Sequence, residues 1–407
     1  MKCGLLGEKL GHSYSPQIHA ELAGYEYRLY EKRKGDMETF LRDGDWQGLN
    51  VTIPYKKTVI PFCDTLSDTA QEIGSVNTLR KGPEGRIHGE NTDAFGFSML
   101  LQTLPKAAVA EGGKAVVLGT GGASVTVCTV LKHAGFAPVT ISRTGENNYE
   151  HLSRHSDAAL LVNTTPLGMY PNNGTKAVDL RSFPHLKAVA DIVYNPARTT
   201  LLLQAEELGL PCAGGLKMLV AQAKRSAEIF LDQKLPDEKI DQITAKLSRS
   251  MQNIILIGMP GSGKSCVARE LAARLGRHCV ETDAEIEKAA GITIPELFAR
   301  EGEEGFRARE TAVLREFGKQ SGTVISTGGG CVTRPENYPL LHQNGTIVRL
   351  TRPLALLARE GRPLSLQTDL SEMFAVRDPL YARFADFTVD NRESISKTVD
   401  TILEELS

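Results

Sequence analysis

The chain of 407 residues is poor in aromatic side chains, at 6%, and carries a single tryptophan. Its apolar runs, such as IILI at 254–257, are only strand-length. A membrane span needs about 20 consecutive apolar residues, so none is expected. Neither sign of charge dominates: 47 Lys and Arg face 49 Asp and Glu, for a net charge of −2. That balance argues against a general nucleic-acid binder and against a polybasic membrane-surface protein. The seven cysteines (3, 63, 128, 212, 266, 279 and 331) are odd in number and include no C-x-x-C pair. They read as reduced thiols used mostly for packing, with neither a disulfide framework nor a zinc site. The opening MKCGLLGEKLGHS has no long apolar stretch of the kind a signal peptide needs, so a cytoplasmic protein is expected.

The length exceeds what one core usually holds, and two or three domains are expected. Two segments restart the chain with the same grammar of apolar strand, glycine-rich turn and helix: AVVLGTGGAS at 115–124 and IILIGMPGSGKS at 254–265. A polar amphipathic stretch at 234–250 precedes the second, which sets a boundary near 250. Beyond it the cations are 15 Arg against four Lys, whereas the first part has 11 Arg and 17 Lys. Arginine is the better fork for carboxylate and phosphate, so this bias hints at oxyanion handling in the second part. Residues 115–215 alternate strands and helices in the doubly wound pattern of a parallel α/β sheet.

In the first part, Gly119, Gly121 and Gly122 with Ala123 permit close backbone approach to a pyrophosphate at a helix N-terminus. Ser124 stands where a third fingerprint glycine would be, and a plain helix-entry turn also fits. The next strand ends in Ser142, Arg143 and Thr144 rather than an acid, which suits a 2′-phosphate and favours NADP over NAD; a solvated turn is the alternative for Arg143. Upstream, GHSYSP places two hydroxyls two residues apart, and GLNVTIPYK, SVNT and GENTD add Thr52, Lys56, Asn77 and Asp93. Lys56 and Asp93 are the proton-transfer candidates: an ammonium can donate to a carbonyl oxygen as hydride arrives.

The ordered set HSYSP, NVTIPYK, SVNTL, ENTDAFG, GTGGAS, NTTPLGMYP, DIVYNP and GGLKMLVAQA resembles shikimate dehydrogenase over essentially all of residues 1–250. The resemblance implies that Ser13 and Ser15 hold the substrate carboxylate and that Lys56 and Asp93 form the catalytic pair. Thr52, Asn77, Tyr194 and Gln222 would contact ring hydroxyls or carboxylate. NADP(H) would lie on Gly119, Gly121, Gly122, Ala123, Ser142, Arg143, Thr144 and Gly215. It further implies a substrate domain made of 1–98 plus 217–250 around a Rossmann-type NADP domain at 99–216. NADP-binding members usually read Asn-Arg-Thr and add a second basic residue soon after; here Gly145, Glu146, Asn147 and Asn148 follow. A quinate-using relative is the alternative.

In the second part, GMPGSGKS matches the P-loop pattern in full, directly after a strand and before a helix. The backbone of Gly258, Gly261, Ser262 and Gly263 would cradle nucleotide phosphates, Lys264 would reach the β- and γ-phosphates, and Ser265 would ligate Mg²⁺. Glu281 and Asp283 end the next strand, where an α/β sheet binds ligands. Arg307, the glycines 328–330, the basic segment around Arg362 and Arg377 follow. Together these motifs resemble shikimate kinase over 252–390, which implies a P-loop kinase domain at 251–407 using ATP and Mg²⁺. Asp283 would hold the substrate hydroxyl and accept its proton. Arg307 and Arg377 would bind the substrate carboxylate, Gly328, Gly329 and Gly330 would line the ring, and Arg362 would come from a lid. The family's first acid is usually Asp; this chain has Glu281, which by the resemblance would hold Mg²⁺ through water.

The two resemblances imply consecutive reactions: reduction of 3-dehydroshikimate to shikimate, then phosphorylation of shikimate to shikimate 3-phosphate. The alternatives are a quinate/shikimate dehydrogenase joined to another small-molecule kinase, and a non-catalytic pathway sensor. Small-molecule substrates are expected, with no nucleic-acid or membrane partner. His151 and His155, four apart, read as a solvated helix rather than zinc ligands. Trp46 reads as packing, Cys266 as buried on the helix after the P-loop, Arg309 as an exposed helix residue, and His12 as a substrate contact or a turn cap.

Overall fold

The computed structural model describes residues 1–11, 13–110, 112–357 and 370–406. The chain divides into two compact units. The first comprises Met1–Met169, Thr175–Asn195 and Leu201–Leu247; the second comprises Ser248–Ser407 with Tyr170–Gly174 and Pro196–Thr200. The division falls inside the helix Glu238–Met251, close to the boundary expected near 250.

The first unit holds two sheets. Its N-terminal sheet contains β1 (Lys2–Gly7), β2 (Glu26–Glu31), β3 (Gly48–Val51), β4 (Thr65–Leu66), β5 (Thr78–Lys81) and β6 (Ile87–Glu90), in the order β2-β1-β3-β5-β6-β4. β1 pairs parallel with β2 and β3, whereas β5 runs antiparallel to β3 and β6. Trp46 is buried in the core on this sheet beside Leu6, Leu49 and Val51.

The second sheet contains β7 (Gly113–Leu118), β8 (Phe136–Ile141), β9 (Leu160–Asn163), β10 (Ala188–Asp191) and β11 (Cys212–Ala213), all parallel in the order β11-β10-β9-β7-β8. A parallel sheet needs apolar side chains on both faces, and β7 supplies them by alternation. Ala115 and Val117 enter one core with Phe97 and Val127, while Val116 and Leu118 enter another with Leu180 and Leu201. The connection from β8 to β9 contains a 3-10 helix, Tyr149–His155, in place of an α-helix.

The second unit is a five-stranded parallel sheet of β12 (Asn253–Ile257), β13 (Cys279–Glu281), β14 (Val324–Ser326), β15 (Gly345–Thr351) and β16 (Phe387–Asp390), ordered β13-β14-β12-β15-β16. Its central strand β12 alternates in the same way, with Ile255 and Ile257 in one core and Ile254 and Leu256 in the other. The α/β class and the parallel-sheet architecture of the Rossmann-type and P-loop parts therefore stand as expected from the sequence. Among the described residues no helix is long and apolar enough to cross a membrane.

Candidate functional sites

In the first unit, Asp93 opens the helix Asp93–Leu101 and is only 9% exposed. Lys56 reaches it from the turn after β3, and its Nζ donates to Asp93 Oδ2 at 2.5 Å. The start of that helix is pinned by a buried polar cluster. Asn77 Oδ1 accepts from the Thr92 amide at 2.7 Å, and Asn77 Nδ2 donates to Thr92 Oγ1 at 3.0 Å. Ser226, from the helix Leu216–Leu231, lies 2.8 Å from Thr78 Oγ1 and 3.0 Å from Thr92 Oγ1, and accepts from Asn50 Nδ2 at 2.7 Å. The two helices meet at Gly96, where a Cβ would stand 2.6 Å from the Met218 carbonyl oxygen and 3.0 Å from the Gln222 side chain. A glycine is needed there, and it sets the placement of Gln222 relative to Asp93.

Ser13 Oγ accepts from the Ser15 amide at 3.2 Å, and Ser15 is buried. The intervening Tyr14 meets Tyr194 edge-to-face at 6.0 Å, so the serine segment and Tyr194 share one wall. Burial raises the Tyr194 hydroxyl pKa and keeps it neutral. Gln222 Nε2 donates to the Leu219 carbonyl on its own helix at 2.9 Å. Thr52 is half-buried at the end of β3, its amide bonded to the Leu6 carbonyl at 2.9 Å. His12 lies outside the described residues.

Lys56 also lines a cavity of about 890 Å³ whose far wall is Gly119–Ala123, Ser142, Arg143 and Tyr149. Gly119 has φ +107° and sits against Thr165, where a Cβ would come within 2.9 Å of a methyl group. Gly121 and Gly122 have open space where a side chain would be. The result is a bare backbone floor at the start of the helix Gly122–His133, in a cavity that Arg143 and Lys56 also line. That is what a pyridine dinucleotide phosphate requires, and the residues fit NADP. Thr144 and Gly215 are not on the cavity wall. The Thr144 amide donates to Ser142 Oγ at 3.2 Å, and Gly215 packs on the Ile192 carbonyl, 2.0 Å from where its Cβ would be. Tyr149, Thr165 and Lys176 line the cavity without having been singled out by the sequence.

One expectation here needs correction. His151 and His155 are not a solvated helix: they lie on the 3-10 helix, and His155 is buried. Its Nε2 is 3.1 Å from Asn147 Oδ1, and burial lowers its pKa. Tyr149 and Leu152 of the same segment pack against the core on one face of the sheet, which draws it out of water.

In the second unit the P-loop turns through glycines in left-handed backbone, Gly258 at φ +146°, Gly261 at +84° and Gly263 at +92°. L-residues with side chains rarely adopt these angles. Lys264 starts the helix Lys264–Leu275, is buried, and donates to the Gly258 and Met259 carbonyls at 2.8 and 3.0 Å. Ser262 is fully buried and its Oγ has no partner. A buried, unpaired hydroxyl in a glycine turn at the start of a helix fits an anion, so the loop suits nucleotide phosphates. Ser265 lines the adjoining cavity of about 280 Å³, and its Oγ lies 3.4 Å from Ser326 Oγ. Glu281 does not reach that wall; its carboxylate pairs with Arg269 at 3.3 Å.

Asp283 does line the cavity, opposite Arg307 and Arg377. Arg307 is 5% exposed and donates to Glu310 Oε2 at 2.8 Å and to Glu303 Oε1 at 3.2 Å. Gly330 packs under this guanidinium, whose Nη2 would stand 2.1 Å from an added Cβ. An added Cβ at Gly328 would come 2.5 Å from Glu310 Oε1 and 2.8 Å from Asp283 Oδ1. Gly329 presents its carbonyl to Arg377 Nη1 at 3.2 Å and to the Tyr381 hydroxyl. Burial raises the Glu310 carboxyl pKa, while Arg307 opposes the shift. Arg309 is half-exposed and pairs with Glu301 at 2.6 Å. Arg362 falls outside the described residues. Cys266 needs correction: it is exposed and lines the cavity rather than packing inside the helix.

Glu310, Tyr381 and Phe298, which stacks on Phe306 at 4.6 Å, also belong to this site. Phe298 and Glu310 lie on either side of a kink at Gly302 within the helical stretch Ile294–Gly318, and only the folded chain brings them to one cavity.

These features define two classes of protein in one chain, a Rossmann-type dinucleotide oxidoreductase and a P-loop small-molecule kinase. The family model described as shikimate dehydrogenase substrate binding domain matches residues 5–79, and that described as shikimate kinase matches residues 260–407. A shikimate dehydrogenase (NADP(+)) of Clostridium beijerinckii is 35% identical over 260 residues, 59% of this chain and 94% of its own length. A shikimate kinase of Thioalkalivibrio sulfidiphilus is 47% identical over 161 residues, 37% of this chain and 84% of its own. The crystal structure of a chorismate mutase/shikimate 5-dehydrogenase fusion protein from Clostridium acetobutylicum shares the fold with a TM-score of 0.55 and 36% identity, covering 60% of this chain and 96% of that one. The chain belongs to the shikimate dehydrogenase family in its first part and to the shikimate kinase family in its second.

Proposed function

We propose that this bifunctional shikimate-pathway enzyme reduces 3-dehydroshikimate to shikimate in its first unit and phosphorylates the shikimate 3-hydroxyl in its second. The substrate lobe of the first unit is 1–98 with 217–250, and the cofactor lobe is 99–216. When bound, NADPH supplies the hydride, and ATP with Mg²⁺ supplies the phosphoryl group.

The observation that supports the reduction is Lys56, which lines the dinucleotide cavity and donates to Asp93 behind it. The Lys56 ammonium donates a proton to the substrate's carbonyl oxygen as that carbon is reduced. Asp93, 2.5 Å away, keeps the ammonium oriented and accepts a hydrogen bond from a neighbouring ring hydroxyl. Ser13 and Ser15 hold the carboxylate, and Thr52, Asn77, Tyr194 and Gln222 fix the ring. Arg143 receives the 2′-phosphate of the dinucleotide.

The observation that supports the phosphorylation is Asp283 facing Arg307 and Arg377 beside the P-loop. The two guanidiniums clamp the substrate carboxylate, which leaves its hydroxyl at Asp283. Asp283 accepts the hydroxyl proton, and Lys264 with the loop amides steadies the transferring phosphoryl charge. The glycine turn 328–330 leaves room for the ring.

One incubation tests both halves: purified chain, 3-dehydroshikimate, NADPH, ATP and Mg²⁺, with products identified by mass. Shikimate 3-phosphate is the expected product. Shikimate alone would overturn the kinase assignment, and unchanged starting material the dehydrogenase assignment.

A further inference from the structure

Asn391 follows β16 and is 4% exposed, 129 positions along the chain from Ser262. Its Nδ2 donates to the Ser262 carbonyl oxygen at 2.7 Å. Its Oδ1 accepts from Thr398 Oγ1 at 2.8 Å, in the first turn of the helix Ile395–Glu405. Its backbone amide donates to the Thr351 carbonyl at 2.8 Å, at the end of β15. The amide is thus fixed from three sides before it touches the P-loop. Contact with the loop is close: a Cβ on Gly263 would stand 2.4 Å from Asn391 Nδ2. Gly263, at φ +92°, is the residue whose peptide turns the chain from loop into helix.

A carbonyl and the next residue's amide belong to one rigid peptide plane. Holding the Ser262 carbonyl outward therefore turns the Gly263 amide inward, toward the space that Ser262 Oγ also leaves unpaired. We propose that Asn391 is a positioning residue for the nucleotide-phosphate cradle, setting ATP affinity by orienting the 262–263 peptide. It does not touch the nucleotide, and it acts apart from the Asp283–Arg307 subsite where the second substrate sits. The proposal rests on the kinase reading of the second unit.

The test uses the full chain and three proteins: wild type, Asn391→Ala and Asn391→Asp. Asn391→Asp keeps the acceptor for Thr398 but replaces the donor with an oxygen that repels the Ser262 carbonyl. Binding of a fluorescent ADP analogue is titrated directly, and kinase KM values for ATP and shikimate are measured separately. Dehydrogenase activity of the same chain reports the concentration of folded protein. Both variants should bind the analogue and ATP roughly tenfold more weakly, the loss of one buried hydrogen bond, with KM for shikimate within twofold of wild type. Unchanged nucleotide affinity in both variants overturns the proposal, as does an equal rise in both KM values. Wild type that binds the ADP analogue but does not phosphorylate shikimate overturns the kinase substrate reading alone, and the binding comparison still decides the role of Asn391.

Discussion

Lys56 Nζ and Asp93 Oδ2 lie 2.5 Å apart, although 36 residues separate them along the chain and they belong to different elements, a turn after β3 and the first turn of the helix Asp93–Leu101. Each is mostly buried, with side-chain exposures of 23% and 12%, and Lys56 lines the dinucleotide cavity. General acid–base groups typically contribute about 10² to 10⁴-fold in rate. Lys56→Ala should therefore lower the dehydrogenase kcat by at least about 10²-fold while NADPH binding survives. Kinase activity of the same preparation should stay within twofold of wild type. Lys264→Ala should do the reverse. Steady-state assays of both reactions on each variant check this, and loss of both activities in either single variant would contradict two independent sites.

In the proposed function, cofactor choice rests on Arg143, which lines the dinucleotide cavity. It is the cation that the end of β8 supplies to the cavity wall, and the four residues after Thr144 add none. A guanidinium reads a phosphate as a fork, and no comparable partner exists for a free 2′-hydroxyl. Arg143→Ala should raise KM for NADPH roughly tenfold or more and leave KM for NADH within about twofold, in line with the loss of a charge-assisted hydrogen bond. Parallel titrations with the two reduced cofactors measure the ratio; an equal change for both would place the 2′-phosphate elsewhere.

How much of this was legible in the sequence depends on how far each feature is local. The P-loop and the glycine turn at 119–122 are written as contiguous residues, with Gly119, Gly258, Gly261 and Gly263 at positive φ, and their strands carry the alternation of a sheet covered on both faces. Lys56 and Asp93 were readable because few other residues in their segments can move protons. The supporting groups were not. Ser226 reaches Asn50 across 176 positions, and Asn391 reaches Ser262 across 129. A lone serine or asparagine in a helix or loop has no local signature for such a contact. Cys266 was misplaced because the first turn of a helix offers too few neighbours to fix its phase: Lys264 is buried on one side, while Cys266, two residues on, faces the cavity. His155 was misplaced because four-residue spacing implies an α-helix, and the chain forms a 3-10 helix there.

Acid should weaken the first unit through His19. Its ring is fully buried, stacked on Tyr27 at 4.0 Å and 2.5 Å from the Tyr25 hydroxyl, and burial lowers its pKa to about 3. In the unfolded chain the same ring titrates near 6.5. Between these values the unfolded state holds a proton that the folded state lacks, so stability falls as pH falls through that window. At about 1.36 kcal/mol per unit, moving from pH 6.5 to pH 5 costs about 2 kcal/mol from this group. Urea midpoints followed by dehydrogenase activity should drop accordingly, and His19→Gln should flatten the dependence over pH 5–6.5. An unchanged slope in that variant would assign the acid sensitivity to other groups.

Gly330 and Arg307 make the sharpest structural prediction for the kinase. Gly330 has φ −103°, a backbone angle open to any residue, so alanine would not be strained in the main chain. The conflict lies with the guanidinium, whose three outer atoms would all come within 2.2 Å of the new methyl group. A free arginine end would swing aside at little cost, but Arg307 is 5% exposed and held by Glu310 at 2.8 Å and Glu303 at 3.2 Å. It must therefore move as a unit with Glu310, which stands beside Asp283 against Gly328. Shifting that pair by even an ångström displaces the clamp for the substrate carboxylate, and misplacements of this size cost on the order of 10²-fold in rate. Gly330→Ala should raise KM for shikimate at least tenfold and lower kcat, while affinity for a fluorescent ADP analogue stays within twofold, because the P-loop is untouched. A variant with wild-type KM for shikimate would show that Arg307 is free to yield, and would remove it as the rigid half of the clamp.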